Sequence, residues 1–211
     1  VEVELRGAIQ DAEGLGLEPF TLAFRTLRDA SPPTIVRTEP AEGATGVAVN
    51  AVVRLVAGEP FVAGVVEVEA RAGDEDWAVA VTERPSEGVV DVAFVDELPA
   101  STPVSVTLSG LRDARGNEAP PFVLAFTTGA APDRDPPVFA GLARVHPLDE
   151  RRIRIEWDAA VDASPVTYLV FMSVPPAVVD FLSSPVRVVS GLATTIDGLS
   201  PAVTYAFAVR A

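Results

Sequence analysis

Val1–Thr26 reads VEVELRGAIQDAEGLGLEPFTLAFRT, and Val104–Thr128 reads VSVTLSGLRDARGNEAPPFVLAFTT. With one residue skipped in the longer copy, thirteen positions are identical, among them Val1/Val104, Gly7/Gly110, Asp11/Asp113, Gly14/Gly116 and Phe24/Phe126. In the first copy Val1, Val3 and Leu5 alternate with Glu2, Glu4 and Arg6, the period of a half-buried strand. Phe20, Leu22 and Phe24 repeat the pattern on the return. Gly7, Asp11 and Gly14 between them are turn formers. Each copy therefore predicts a hairpin, and a lone hairpin with one apolar face is marginal in water. The repeat predicts that one domain ends near Thr26, that a second of the same kind ends near Thr128, and that the chain starts inside the first.

Working outward, the second copy closes a longer series of short periodic segments: 34–38, 51–56, 65–71, 77–81, 89–95, 104–108 and 122–127. Seven short strands separated by turn signals predict an all-β sandwich. Alternation assigns Val53, Leu55, Val66, Val68, Val79, Val81, Val90, Val92, Phe94, Val104, Val106, Leu108, Phe122, Leu124 and Phe126 to the interior. It assigns Arg54, Glu67, Glu69, Asp91, Ser105 and Thr107 to the opposite face. No segment carries helical periodicity over three turns. LRDASPP (27–33) and AAPDRDPP (130–137) read as linkers, each ending in a Pro pair that favours extended, stiff backbone. Beyond the second linker, Ile153, Ile155 and Trp157 alternate with Arg152, Arg154 and Glu156. Val166, Tyr168 and Val170 form another strand, and Val203, Tyr205, Phe207 and Val209 a third. The expected architecture is a rod of tandem sandwiches: a truncated domain over 1–28, a complete one over 34–129 and a different one over 137–211.

Composition narrows the function classes. Thirty acidic residues against 16 basic ones give a formal charge of -14, and every basic residue is Arg. That balance opposes binding to nucleic acid, which requires cations on the protein. It equally opposes an anionic membrane surface. The chain has no Cys, so disulfides and thiolate metal sites are excluded. No apolar run approaches the length of a membrane span.

Four motifs carry a family resemblance: TEPAEGATGVAVN (38–50), GEP (58–60), VSVTLSGLRDARGN (104–117) and FVLAFTTG (122–129). Together they resemble the bacterial Ig-like domain that recurs in surface-layer and other secreted proteins, over all of 34–129, with its last quarter repeated in 1–26. RIRIEWDAAVD (152–162), VTYLVFMS (166–173) and GLSPAVTYAFAVRA (198–211) resemble a fibronectin type III domain. That resemblance implies that Trp157 fills a core and that Leu199, Pro201 and Tyr205 form a corner ahead of the sixth strand. There the buried Tyr ring packs while its hydroxyl bonds back to nearby backbone. The sequence stops at the end of that sixth strand, so the expected seventh is missing.

Catalytic groups are scarce. His146 is the single His, which rules out the usual N/S zinc sites and leaves one candidate base for a Ser–His–Asp triad. It falls in ARVHPLDE, read as a loop between two strands. No phosphate loop, GxGxxG or HExxH is present. Acidic residues sit at turns or on outward faces, as a solvated surface requires. Two readings of the Asp-rich junctions stand side by side. In one, the first linker brings Asp29 to Asp113 and Asn117. The second brings Asp133 and Asp135 to Asp158 and Asp162, with Asp96 or Glu97 reaching from below, and each group offers hard oxygens to calcium. In the other, the same residues are there for turn geometry alone. The first copy bears on this choice, since it keeps Asp11 but has Leu15 where the second has Asn117. Phe61 and Phe181 are read as loop aromatics tucked over the sandwich edge.

These observations and the resemblance imply no catalysis in this chain. The expected function is that of a structural, spacer or adhesive module of a larger secreted or cell-surface bacterial protein. Its expected partners are the flanking domains and neighbouring surface or filament subunits, with no nucleic acid and no membrane insertion. The alternative is an accessory region of a secreted polysaccharide-active enzyme. A carbohydrate-binding platform would need several coplanar exposed aromatics, and Trp77 and Trp157 both fall at inward positions.

Overall fold

The computed structural model describes residues 29–211 together with the strands Glu2–Leu5 and Phe20–Ala23. Its contacts divide the chain into two units, Val1–Ser31 and Pro32–Ala211. In the first unit β1 (Glu2–Leu5) and β2 (Phe20–Ala23) pair antiparallel, with Val3 opposite Leu22. This is the strand pair that the duplicated sequence predicts. The turn readings at Gly7, Asp11 and Gly14 lie outside the described residues.

The second unit begins with eight strands: β3 (Ile35–Glu39), β4 (Val52–Ala57), β5 (Glu67–Ala72), β6 (Glu75–Trp77), β7 (Val79–Arg84), β8 (Val89–Phe94), β9 (Pro103–Ser109) and β10 (Phe122–Thr127). They form two four-stranded antiparallel sheets, ordered β3-β4-β8-β7 and β10-β9-β5-β6. The segment read as one strand over 77–81 is two. Trp77 pairs with Ala70 in one sheet, and Val79 pairs with Phe94 in the other. The chain changes sheets at Ala78, so one periodic run serves both layers.

Alternation is obeyed where both sheets face the core. Val53, Leu55, Val90, Val92, Val106, Leu108 and Leu124 are essentially fully buried. Burying a side chain of this size stabilises by roughly 1.5–3 kcal/mol. Val66, Val68, Val79, Phe94 and Phe122 pack on this cluster while partly buried. Val81 departs from the expectation at 39% exposure; it lies on β7, an edge strand of its sheet. Phe61 is buried in the same core. Gly110, shared by the duplicated hairpins, explains its own presence. It has φ +73°, and a Cβ there would meet the Val65 carbonyl oxygen at 2.3 Å. Only glycine tolerates both conditions.

Six further strands follow: β11 (Leu142–Pro147), β12 (Ile153–Trp157), β13 (Tyr168–Ser173), β14 (Arg187–Val189), β15 (Ala193–Ile196) and β16 (Ala206–Arg210). They make two three-stranded sheets, β11-β12-β15 and β14-β13-β16, around a second core. Trp157 is in that core, tilted against Tyr168 at 5.4 Å between ring centroids. The Ser200 amide donates to the Tyr205 hydroxyl at 2.9 Å, which is the corner bond expected at Leu199–Tyr205. His146 lies within β11 rather than in a loop, opposite Arg154 and exposed. Phe181 is 44% exposed, edge-on to Phe171 and covered by the Arg210 guanidinium. Among the described residues no helix is long and apolar enough to cross a membrane.

Candidate functional site

The most developed polar arrangement in residues 32–211 lies where the two sandwiches meet. It is built on the outer face of the β3-β4-β8-β7 sheet. β4 and β8 pair so that Arg54 stands directly opposite Asp91, and opposite charges at such a position attract across the ladder. Arg54 Nε and Nη2 donate to the two Asp91 carboxylate oxygens at 2.7 and 2.9 Å, a bidentate fork. Arg84, at the end of β7, donates to Asp91 Oδ2 at 2.6 Å from the other side. One carboxylate thus neutralises parts of two guanidinium groups.

Arg54 then reaches beyond its own sheet. Nη1 donates to the Val166 carbonyl at 2.6 Å, and Nη2 donates to Thr167 Oγ1 at 2.9 Å. Both acceptors belong to the loop that enters β13 of the second sandwich. That loop is held by its own core, since the Ala160 amide donates to the buried Tyr168 hydroxyl at 2.8 Å. With the loop over it, Arg54 is only 3% exposed. A buried guanidinium is tolerated only when paired and hydrogen-bonded, and here both conditions are met.

Glu87 makes a second bridge. It sits in the 3-10 turn Pro85–Glu87 between β7 and β8. Its Oε2 accepts from the Ser190 amide at 2.9 Å and the Ser190 hydroxyl at 2.7 Å, both from the segment after β14. Arg84 Nε, buried without a hydrogen bond, lies 3.8 Å from the same oxygen. A crevice of about 350 Å3 remains beside these bridges, lined by Arg37, Glu39 and Arg54 on one side and Asp162, Ser164 and Ser190 on the other.

Electrostatics favour the charged form of Asp91. Burial opposes ionisation of Asp91, but hydrogen bonds and charge from Arg54, then Arg84, outweigh it and hold its pKa below the ordinary aspartate value.

The linker is tied to the same sandwich. Asn50 Nδ2 donates to the Asp133 carbonyl at 2.7 Å, and the Asp133 amide donates to Asn50 Oδ1 at 2.8 Å. This reciprocal pair imitates a rung of a β-ladder. The Val49 amide reaches the Ala131 carbonyl at 3.3 Å. Stiffness here comes from hydrogen bonds to Val49 and Asn50 as well as from Pro136 and Pro137.

The Asp residues considered as calcium ligands occupy turns. Asp133 Oδ1 accepts from the Asp135 amide at 3.1 Å, and Asp162 Oδ1 accepts from the Ser164 amide at 2.7 Å. Asp158 is exposed beside a cleft that it lines with Arg144 and Arg154. Among the described residues the carboxylates of Asp133, Asp135, Asp158 and Asp162 do not gather within 4.8 Å as a ligand set. Asp29 is in the first unit, where its Oδ1 accepts from the Ser31 amide at 3.0 Å. Asp113 and Asn117 are in the second and do meet. Asp113 Oδ1 accepts from the Arg115 and Asn117 amides at 2.8 and 2.9 Å, and Oδ2 accepts from Asn117 Nδ2 at 2.7 Å. Asp113 is 4% exposed. Desolvation opposes its charge, but bonds from Asn117, Arg115 and Gly116 prevail and lower its pKa. Asp96 and Glu97 are exposed.

The residue that sequence reading missed is Arg54. Alternation put it on the solvent face, and nothing local says that another domain covers that face. The available signal was a charge in the middle of an apolar strand, VVRLVA, with an Asp at the matching place in VVDVAF.

A model of the bacterial Ig-like domain matches residues 29–128. No curated protein matches the chain in sequence. Among solved structures, the FN1–FN3 domains of chicken CNTN1 align at 16% identity and a TM-score of 0.31, covering 94% of this chain and 66% of that one. Domains 1–6 of the surface layer protein SbsC align at 11% identity and a TM-score of 0.40, covering 81% of this chain and 26% of that one. L,D-transpeptidase 3 from Mycobacterium tuberculosis aligns at 17% identity and a TM-score of 0.32, covering 59% of this chain and 44% of that one. The chain spans less than two thirds of the length of each. The eight strands of the first sandwich and its glycine-dependent hairpin lie within the stretch that matches: residues 29–128 are similar to the bacterial Ig-like domain.

Proposed function

We propose that the chain is a non-catalytic structural or adhesive module of a larger secreted or cell-surface bacterial protein. The observation that carries this reading is the joint. The most deeply buried cation among the described residues of the second unit, Arg54, bonds one sandwich to the next. A module that displays or spaces other domains needs such fixed junctions, whereas a catalytic site needs convergent polar groups around an open pocket. The bacterial Ig-like family and the strongly acidic composition support an extracellular address. In this reading the partners are flanking domains of the same polypeptide and neighbouring surface subunits.

The test is accessibility on living cells. Antibodies raised against residues 29–211 are expected to label intact cells of the source bacterium, and brief external protease is expected to remove the signal. Labelling that appears only after lysis would overturn the reading.

A further inference from the structure

We infer that the two sandwiches of residues 32–211 are thermodynamically coupled, the outer face of β4 and β8 serving as a platform that completes the second sandwich. The cores are unequal. The first holds sixteen buried residues and the second seven. A sandwich of some 70 residues with so thin a core is marginal by itself. What it lacks in core it gains at the joint.

Three observations place that gain. The loop over 159–167 has irregular backbone, and its Val166 carbonyl and Thr167 hydroxyl are satisfied by Arg54 of the other sandwich. The segment before β15 is satisfied at Ser190, amide and hydroxyl together, by Glu87. The linker is laddered to Asn50 through Asp133, so the second sandwich starts from a fixed point rather than from a free tether. Hydrogen bonds to charged groups contribute net stability, and unfolding the first sandwich removes from the second the charged partners that it cannot supply itself. The converse holds for Arg54, whose Nη1 loses the Val166 carbonyl and whose Nη2 keeps only Asp91 when the second sandwich opens.

The charged groups bonded at the joint or lining its crevice, among the described residues, belong to this account. Arg54, Arg84, Asp91 and Glu87 lie on the first sandwich, with Arg37 and Glu39 along the crevice. The second sandwich contributes Asp162 to the crevice wall and otherwise presents neutral acceptors and donors. The coupling is thus one of hydrogen bonds to a charged platform rather than of ion pairs across the joint. It does not depend on where in the cell the chain acts.

Native-state hydrogen exchange of the whole chain, followed by mass spectrometry through a urea series, tests it. Peptides covering β4 and β8 report the first sandwich, and peptides covering β12 and β13 report the second. In the unmodified chain both sets are expected to lose protection at the same urea concentration. In Arg54→Met, exchange of the β12 and β13 peptides is expected to rise roughly tenfold or more, the factor carried by loss of one or two hydrogen bonds. The double variant Thr167→Val with Ser190→Ala removes the Thr167 hydroxyl that accepts from Arg54 and the Ser190 hydroxyl that donates to Glu87, and leaves the Arg54–Asp91 pair in place. It is expected to uncouple the two midpoints in the same way. Separate midpoints in the unmodified chain, or joined midpoints in the Thr167/Ser190 variant, would overturn the inference.

Discussion

Asp91 and Arg54 form one pair, yet removing one is not equivalent to removing the other. In Arg54→Met, Asp91 keeps its 2.6 Å bond from Arg84. No buried charge is left uncompensated, and the loss is confined to hydrogen bonds. Bonds to charged groups are each worth about 1.5–3 kcal/mol, and the Met side chain recovers part of this by filling the space of the arginine stem. The four bonds share one guanidinium and do not add, so the expected cost is that of about one such bond, roughly 1–3 kcal/mol. In Asp91→Asn, by contrast, one neutral amide oxygen replaces two charged ones, so Arg54 and Arg84 share a single uncharged acceptor there; Arg54 otherwise keeps a carbonyl and a hydroxyl, and Arg84 keeps Glu87 at 3.8 Å. Breaking a buried pair so that a charge is stranded costs about 3–5 kcal/mol. The Asp91 side chain is 13% exposed, so water screens part of this and the lower half of that range applies. Against a total domain stability of roughly 5–15 kcal/mol, the difference between the two variants is measurable. Urea unfolding of each variant, followed by circular dichroism and extrapolated linearly to water, gives the comparison. The Arg54→Met/Asp91→Asn double variant is expected to be no less stable than Asp91→Asn alone, because it removes the stranded cation. If Arg54→Met proves the more damaging single change, the charge balance described for this joint is wrong.

The same carboxylate sets a pH dependence. Its folded pKa lies below the ordinary 3.8, so its stabilising contribution is fully present above about pH 4 and is lost as pH falls through the lower folded value. Midpoints measured between pH 7 and pH 2.5 should therefore drop more steeply for the unmodified chain than for Asp91→Asn. Gly110→Ala should cost well over about 1 kcal/mol, since the residue combines positive φ with a close carbonyl, and thermal unfolding measures the loss. An alanine at Gly116, where φ is +86° and the space is open, pays only for the dihedral angle and should be the milder change. Asp113→Ala removes three bonds from one turn and should lower the melting temperature equally in calcium and in chelator. A loss seen only in calcium would assign that carboxylate to an ion instead of to its turn.

Some of this molecule was legible without coordinates. The duplicated hairpin, the alternation of Val53, Leu55, Val90 and Val92, and the inward Trp157 follow from period two and from burying one face. Each depends on neighbours a few residues away. The Tyr205 corner was legible only through the resemblance to a fibronectin type III domain, and its partner Ser200 lies five residues away. Where the chain changes sheets at Ala78 was not legible, because Trp77 and Val79 carry one uninterrupted alternation whichever strand they pair with. Nor was the placement of His146 in a strand, because the apolar pattern there is broken by Arg144 and Pro147.

Sequence by itself determined the class of fold, the sites of the turns and the two cores, because these rest on local periodicity and on the φ limits of glycine. Only the tertiary structure decided what the outer face of β4 and β8 is for. Arg54, Asp91 and Glu87 carry the same signature as any solvated surface. Their meaning depends on whether another sheet covers them, and that is fixed by Val166, Thr167 and Ser190, which lie about a hundred residues away in the chain.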